Sequence, residues 1–130
     1  MNHKGQVLGV QSKLDYENRQ VVKENRNTEI HQQWDILYVD AAKPVPTSGF
    51  SKLWGMYINR PFHIVTQMSS GRFIDYISNR LVIKTPNKRP TQEFYFDYAT
   101  RTIRCKGYNN YAIDIRNTNA YGYGVNSYWY

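Results

Sequence analysis

The chain has 130 residues, which is enough for one domain with a real hydrophobic core. Aromatic residues make up 15% of it, with twelve tyrosines, and this composition favours pleated, half-buried strands over helices. The formal net charge of +7 is equally compatible with an anionic partner and with a basic surface that only aids solubility.

Cysteine content and hydropathy restrict the class of protein further. Cys105 is the single cysteine, which excludes an internal disulfide and a disulfide-stapled secreted scaffold. No apolar run reaches the roughly 18 residues of a membrane-spanning helix, and the first ten residues lack the apolar core of a signal peptide. These features favour an intracellular protein without a membrane span, but they do not identify its compartment. The aromatic ending 127–130 is expected of a piece of a longer protein or of a closely packed terminus.

Residue spacings give no support for catalysis. The three histidines and Cys105 have no metal-ligand spacing with one another. The chain also lacks a nucleophile elbow, a phosphate loop and a paired-carboxylate signature. We therefore expect a protein that is not an enzyme and uses no metal or cofactor.

The predicted elements are short strands separated by turns. Alternating apolar residues and flanking Gly, Asn and Pro residues mark their limits. The stretch 41–51 carries two prolines and a glycine and is predicted to be a linker. The predicted strands, in chain order, are 5–10, 20–23, 34–39, 60–66, 73–76, 81–83, one beginning at Phe94, 102–104 and 111–115.

A degenerate pattern occurs three times along the chain. Residues 32–34 read Gln-Gln-Trp, and residues 92–94 read Gln-Glu-Phe sixty positions later. Residues 126–129, Asn-Ser-Tyr-Trp, take the same place a third time, with Trp129 35 positions after Phe94. A short apolar strand precedes each of them. Repeats of about 40 residues are too small to hold a core alone, so three must close on one another. This pattern predicts an all-β protein of three lobes, a β-trefoil.

At these residues the chain resembles the ricin-B-type (R-type) β-trefoil lectins, whose lobes carry an apolar strand with an Asp and then an Asn-Gln-x-Trp motif. Residues 60–71 look like the opening of a first lobe. Residues 5–40 therefore look like a last lobe placed in front, either in circular order or because the chain is cut from a tandem array. We expect one trefoil over 1–130, with one lobe in 1–40, a Pro-rich linker in 41–56 and two lobes in 57–130.

The resemblance implies a sugar site in which an Asp accepts hydrogen bonds from hydroxyls and an aromatic ring stacks on the pyranose. Asp75 and Asp114 match that Asp, whereas the first lobe has Gly9 there and is expected to have lost its site. Gln92 matches the motif glutamine of the second lobe.

The third lobe is the best candidate on this reading. Asn126 takes the place of the motif asparagine, and Tyr121 or Tyr123 stands where a stacking ring is expected. In the second lobe the corresponding ring position holds Lys84 or Thr85. The predicted carbohydrate-binding residues are Asp114, Tyr123, Asn126, Asp75 and Gln92.

Structural roles compete with these assignments. An Asp at a strand end often caps a turn, and Gln32 and Gln92 are more often buried hydrogen-bonding residues that tie a turn than ligands. We predict a non-enzymatic carbohydrate-binding module, with galactose-type sugars favoured by the resemblance, in a larger protein. The alternative is a trefoil without sugar binding that acts as a structural or protein-interaction module. The basic residues Lys84, Lys88 and Arg89 are candidates for an anionic ligand such as a sulfated glycan or nucleic acid, or are solvated surface.

Overall fold

The structure is a computed structural model that describes residues 6–40, 50–51, 56–57, 59–78, 80–107, 111–114 and 126–128. For residues 6, 50, 51, 56, 114 and 126–128 it describes the strand and its pairing only. Within these ranges no helix has the length and hydropathy to cross a membrane.

A first unit is formed by four strands that enclose a short insertion. Strands β1 and β2 pair antiparallel over their whole length, and β3 pairs antiparallel with β6. Between β3 and β6 the chain forms a separate two-stranded ribbon of β4 and β5. The bounds are β1 Gln6–Val10, β2 Arg19–Asn25, β3 Trp34–Tyr38, β4 Phe50–Ser51, β5 Met56–Tyr57 and β6 Phe62–Thr66.

The second unit repeats this order without an insertion. Strands β7 and β8 pair antiparallel, as do β9 and β10. Two further strands, β11 and β12, pair in the manner of β1 and β2 and begin a third unit. The bounds are β7 Phe73–Ile77, β8 Arg80–Lys84, β9 Phe94–Asp97, β10 Thr102–Cys105, β11 Ala112–Asp114 and β12 Asn126–Tyr128.

Neighbouring units are joined by equivalent contacts. The last strand of unit 1, β6, pairs with the first strand of unit 2 at Val65 and Phe73, and the last strand of unit 2 pairs with β11 at Arg104 and Ala112. Strand β6 also pairs with β9, and β2 pairs with β8. This rotation of one four-strand pattern about a common core is the predicted β-trefoil arrangement.

The predicted division into lobes differs from the observed one. Strand β6, residues 62–66 of the predicted strand 60–66, is the closing strand of unit 1; it lies in full register with β3 and does not open a new lobe. Consequently 41–56 is an insertion inside unit 1 and not a linker between lobes. Strands follow the same order in units 1 and 2, so the arrangement requires no circular order. The insertion hid this repeat because it separates β3 from its partner, whereas β9 reaches β10 through the short turn 98–101.

The third occurrence of the motif was also misplaced. Residues 126–128 pair with β11, with Ile113 opposite Ser127. They therefore correspond to the second strands β2 and β8, and not to the motif strands β3 and β9. Aromatic alternation alone could not separate these two positions, because both kinds of strand pack one face on the core.

The core is formed by the inward faces of both complete units. Phe62 and Phe94 are fully buried and lie opposite each other where β6 meets β9. Apolar side chains at alternating positions surround them, including Val10, Val21, Ile74, Leu81 and Ile83, all fully buried. Burial of these residues supplies the main driving force for closing the units on one another.

A polar clamp links the β1–β2 loop of unit 1 to the turn between β6 and β7. Arg72 donates from Nη1 to the Asp15 carboxylate at 3.1 Å and from Nε to Glu17 at 3.0 Å. The N–H of Ser70 donates to Asp15 at 2.9 Å, and the N–H of Thr85 to Glu17 at 2.8 Å. Burial alone would raise the pKa of Asp15, but Ser70 and Arg72 outweigh it and hold the pKa below its ordinary value.

Removal of the aromatic ring at the junction of the units is expected to destabilise the fold strongly. Phe94→Ala leaves a cavity against Phe62 and should cost about 3–5 kcal/mol of unfolding free energy, measured by urea denaturation. The matched control is Ile36→Ala. Ile36 takes the equivalent place on β3 to Phe96 and is 42% exposed, so its loss should cost under about 1 kcal/mol. Equal costs for the two variants would contradict the core as described.

Acid should weaken the clamp. Because the folded pKa of Asp15 lies below the unfolded one, its contribution is complete above the unfolded pKa and is lost as the pH falls through the folded pKa. Asp15→Asn should therefore be less stable than the wild type at neutral pH, and the difference should shrink below pH 3.8, the ordinary value. Thermal unfolding across a pH series measures this. A difference that is constant with pH would show that the carboxylate charge does not contribute.

Candidate functional site

The two predicted site residues of unit 2 lie together in the interior. Asp75 on β7 is 1% exposed, and Gln92 at the end of a short 3₁₀ turn, Pro90–Gln92, is fully buried. The Gln92 side-chain amide donates from Nε2 to Asp75 Oδ2 at 3.1 Å. Neither polar group is accessible to a sugar in this arrangement.

Gln92 is fully engaged in holding the chain before β9. Its Oε1 accepts the N–H of Asn87 at 3.1 Å, and its Nε2 also donates to the carbonyl of Thr85 at 3.0 Å. The turn that it closes contains Lys88 in the left-handed region, at a φ of 61°. A buried amide with all of its bonds made inside the protein is a structural residue, which matches the competing interpretation of this glutamine.

Gln32, sixty positions earlier, makes the equivalent hydrogen bonds in unit 1. Its Oε1 accepts the N–H of Asn27 at 2.9 Å, and its Nε2 donates to the carbonyl of Asn25 at 2.8 Å. It too ends a short 3₁₀ turn, Ile30–Gln32, and Thr28 has a left-handed φ of 66° in the turn before it. The sixty-residue repeat is therefore a repeat of hydrogen bonds as well as of sequence.

Unit 1 keeps a partly buried carboxylate, that of Glu24, although its first strand has a glycine in place of the Asp. Gln32 Nε2 donates to Glu24 Oε1 at 2.9 Å, so the acceptor comes from β2 instead of β1. A Cβ on Gly9 would lie 2.6 Å from that same oxygen, which shows that the missing side chain makes room for it. His31, only 2% exposed, places Nε2 2.6 Å from Glu24 Oε1 and completes the cluster.

Sequence reasoning missed Glu24 and His31 as members of this site. Glu24 lies 15 positions beyond Gly9 on a different strand, so no linear motif connects them. The available signal was the register, because Gly9 and Val22 are direct partners and Glu24 lies two residues further along the same face.

The third unit is described at the level of its strands. Asp114 occupies the same register position as Asp75, since Ala112 pairs with β10 as Phe73 pairs with β6. Asn126 is the direct cross-strand partner of Asp114. The structure therefore brings these two predicted residues together, while Tyr121 and Tyr123 lie outside the described residues.

The basic residues do not share one environment. Lys84 donates from Nζ to Asn18 at 3.0 Å, and Arg104 is buried and paired with Asp97 at 2.9 Å. Lys88 and Arg89 are exposed in the turn before β9. The exposed basic surface is thus smaller than the sequence run suggests.

A shallow cleft of about 220 Å³ lies over the turn of unit 1. It is lined by Val7, Arg26, Thr28, Gln32 and Gln33. Gln32 is engaged as described above, and Gln33 Nε2 donates to the carbonyl of Thr28 at 2.9 Å. Across the described ranges no group of three or more His, Cys, Asp or Glu residues could hold a metal ion.

The comparisons with known proteins show the fold. No protein-family model and no curated protein matches the chain. A solved structure that it resembles is a designed 3-fold symmetric protein, ThreeFoil, with a TM-score of 0.72 and 16% sequence identity over 98% of this chain and 84% of that chain. The all-β trefoil prediction is thereby confirmed, and at this identity the similarity extends to the fold alone.

Unit 1 uses Glu24 as the acceptor for its glutamine where unit 2 uses Asp75. This difference predicts that substitutions at positions 9 and 24 have non-additive effects on the free energy of unfolding. Gly9→Asp should place a second carboxylate against the partly buried Glu24 and cost about 1–3 kcal/mol, because two side chains of like charge would then crowd one position. Gly9→Asp with Glu24→Ala should recover most of that loss, since the new Asp can accept from Gln32 as Asp75 accepts from Gln92. Urea denaturation of both single variants and the double variant measures the coupling. Additive costs would contradict the proposed equivalence of Glu24 and Asp75.

Proposed function

We propose that the chain is a non-enzymatic carbohydrate-binding module whose sugar site lies in unit 3. The observation that carries this proposal is the direct pairing of Asp114 with Asn126. Unit 1 has Gly9 in place of the Asp, and Asp75 of unit 2 is buried and hydrogen-bonded to Gln92, so Asp114 of unit 3 is the Asp that we assign to a ligand.

The residues opposite the Asp position favour unit 3. Gly9 faces Val22 and Asp75 faces Val82, whereas Asp114 faces Asn126. Unit 3 therefore has an asparagine in the register position where units 1 and 2 have a valine. Asparagine and aspartate are residue types that together offer hydrogen-bond acceptors and donors, as recognition of vicinal hydroxyl groups requires.

In this proposal Asp114 accepts hydrogen bonds from two sugar hydroxyls, and Asn126 donates to a third oxygen. Tyr123 supplies the apolar face for stacking, as the resemblance to R-type lectins implies. The same resemblance favours galactose-type sugars. The chain contributes binding and no chemical step.

Sugar titration followed by NMR tests this function. The wild type should show saturable shifts with galactose or lactose at millimolar concentration. Asp114→Ala and Tyr123→Ala should each weaken binding by about tenfold or more. The matched control is Lys88→Ala, which removes an exposed side chain from unit 2 and should leave binding unchanged. An absence of shifts at millimolar sugar, or equal binding by all the variants, would refute the proposal.

A second candidate function is a trefoil that no longer binds sugar and acts in an assembly. It is favoured by the burial of Asp75 and Gln92, which removes one of the expected sites. If the sugar titration fails while the folded protein forms a defined complex with another polypeptide, this second function replaces the first.

A further inference from the structure

Arg60, two residues before β6, is a buried cation whose hydrogen bonds are incomplete. It is 9% exposed, and its Nε donates to Asp40 Oδ1 at 2.8 Å. The two outer nitrogens, Nη1 and Nη2, are also buried, and neither has a hydrogen-bond partner among the residues that the structure describes. Buried polar groups are nearly always hydrogen-bonded, so two unpaired donors on one guanidinium point to a ligand.

Two tyrosine rings hold this guanidinium in place. Its Cζ lies 4.5 Å from the ring centroid of Tyr38, at the end of β3, and 4.9 Å from that of Tyr57 on β5. Both are cation–π distances. The rings meet edge to face at 5.3 Å, and the hydroxyl of Tyr38 accepts the N–H of Tyr57 at 3.0 Å. Arg60 is therefore oriented by the two rings and, at its Nε, by Asp40.

Unit 2 contains a buried arginine with a similar pairing and a different result. Arg104 is 4% exposed, and its Nε donates at 2.9 Å to Asp97, the last residue of β9. Its Nη2 donates to Thr100 Oγ1 at 3.3 Å, so an outer nitrogen of this guanidinium has an acceptor inside the protein. The fold can thus bury an arginine beside an Asp and bind its outer nitrogens, which makes the unpaired nitrogens of Arg60 a distinguishing feature of unit 1.

We propose that Nη1 and Nη2 of Arg60 bind a small oxyanion, a carboxylate or phosphate group, that bridges the two nitrogens. The planar fork of a guanidinium matches two oxygens of such a group in parallel hydrogen bonds. Because the rings and Asp40 already orient Arg60, binding requires little loss of side-chain freedom. The tyrosines flank the bound group and reduce its contact with water.

Charge and access agree with an anionic ligand. Residues 41–59 contain no Asp or Glu, so this stretch supplies no second carboxylate to the guanidinium. Asp40 also has an interaction besides that with Arg60, and its charge is therefore shared. The Asp40 side chain is 40% exposed, which places the guanidinium one side chain below the surface. The net charge of +7 favours the approach of anions.

Anion titrations of the 130-residue protein, followed by NMR of its ¹⁵N-labelled arginine side chains, test the site. Sodium acetate and inorganic phosphate are the probes, and sodium chloride keeps the ionic strength constant. The Arg60 signal should shift saturably at roughly millimolar anion, while the Arg104 signal stays in place. The probe with the lower midpoint identifies whether the ligand group is a carboxylate or a phosphate.

Two matched variants separate this site from a general effect of salt. Arg60→Lys and Arg104→Lys each replace a buried, Asp-paired guanidinium by an ammonium without a fork. Arg60→Lys should weaken anion binding by about tenfold or more, whereas Arg104→Lys should leave it within about twofold. Thermal unfolding gives a second readout, because an anion that binds the folded state raises Tm with its concentration. Should Arg60→Lys fail to fold, the Arg60 signal of the wild type decides the matter.

Three results would overturn the proposal. The first is an Arg60 signal that neither anion moves, as expected of nitrogens that bind only water. The second is an unchanged anion affinity in Arg60→Lys. The third is a parallel shift of the Arg60 and Arg104 signals, since that would report ionic conditions and not a site. The site shares no residue with the sugar site proposed in unit 3, so either can fail without the other.

Discussion

The buried amide of Gln92 is the interaction on which the geometry of unit 2 depends. One side chain satisfies a turn N–H, a carbonyl at the end of β8 and a carboxylate from β7. It therefore fixes the path by which the chain leaves the hairpin and enters the core strand β9. Leaving the buried Asp75 carboxylate or the buried Gln92 amide unpaired would cost about 1–3 kcal/mol. The aromatic residues that follow reach the core only because this turn is closed.

Unit 1 shows which part of that arrangement is required. It retains the glutamine, the turn N–H and the carbonyl in the same positions, but takes its carboxylate from Glu24 on the neighbouring strand. The requirement is thus for an acceptor at one point in space, and not for an Asp at one point in the sequence. Glycine at position 9 leaves room for the Glu24 carboxylate, because a side chain there would clash with the Glu24 oxygen.

Local patterns were sufficient to predict most of the strands and the sixty-residue repeat, but not β4 and β5, which lie in the predicted linker 41–56. Alternation located β6 and β7, and the glutamines located the turns before β3 and β9, because each of these signals lies within a few neighbouring residues. The assignment of β6 to its lobe failed, since its partner β3 lies across an insertion and pairing is decided by contacts between distant residues. The role of Asp75 was left open between ligand and structure for the same reason. Its partner is a glutamine 17 positions away that has to be brought to it by the fold.

The units differ in chemistry at positions where their backbones agree. The Asp position holds glycine, a buried Asp75 and then Asp114, and the residue opposite changes from valine to Asn126 only in the third unit. On the motif strands, Ile36 is open where Phe96 is covered. Because the turn and core contacts already satisfy the requirements of the fold in each unit, these positions are free to vary. Binding functions in a repeated fold are expected where the repeat is broken, and the sugar site that we propose lies at such a break, where Asp114 pairs with Asn126.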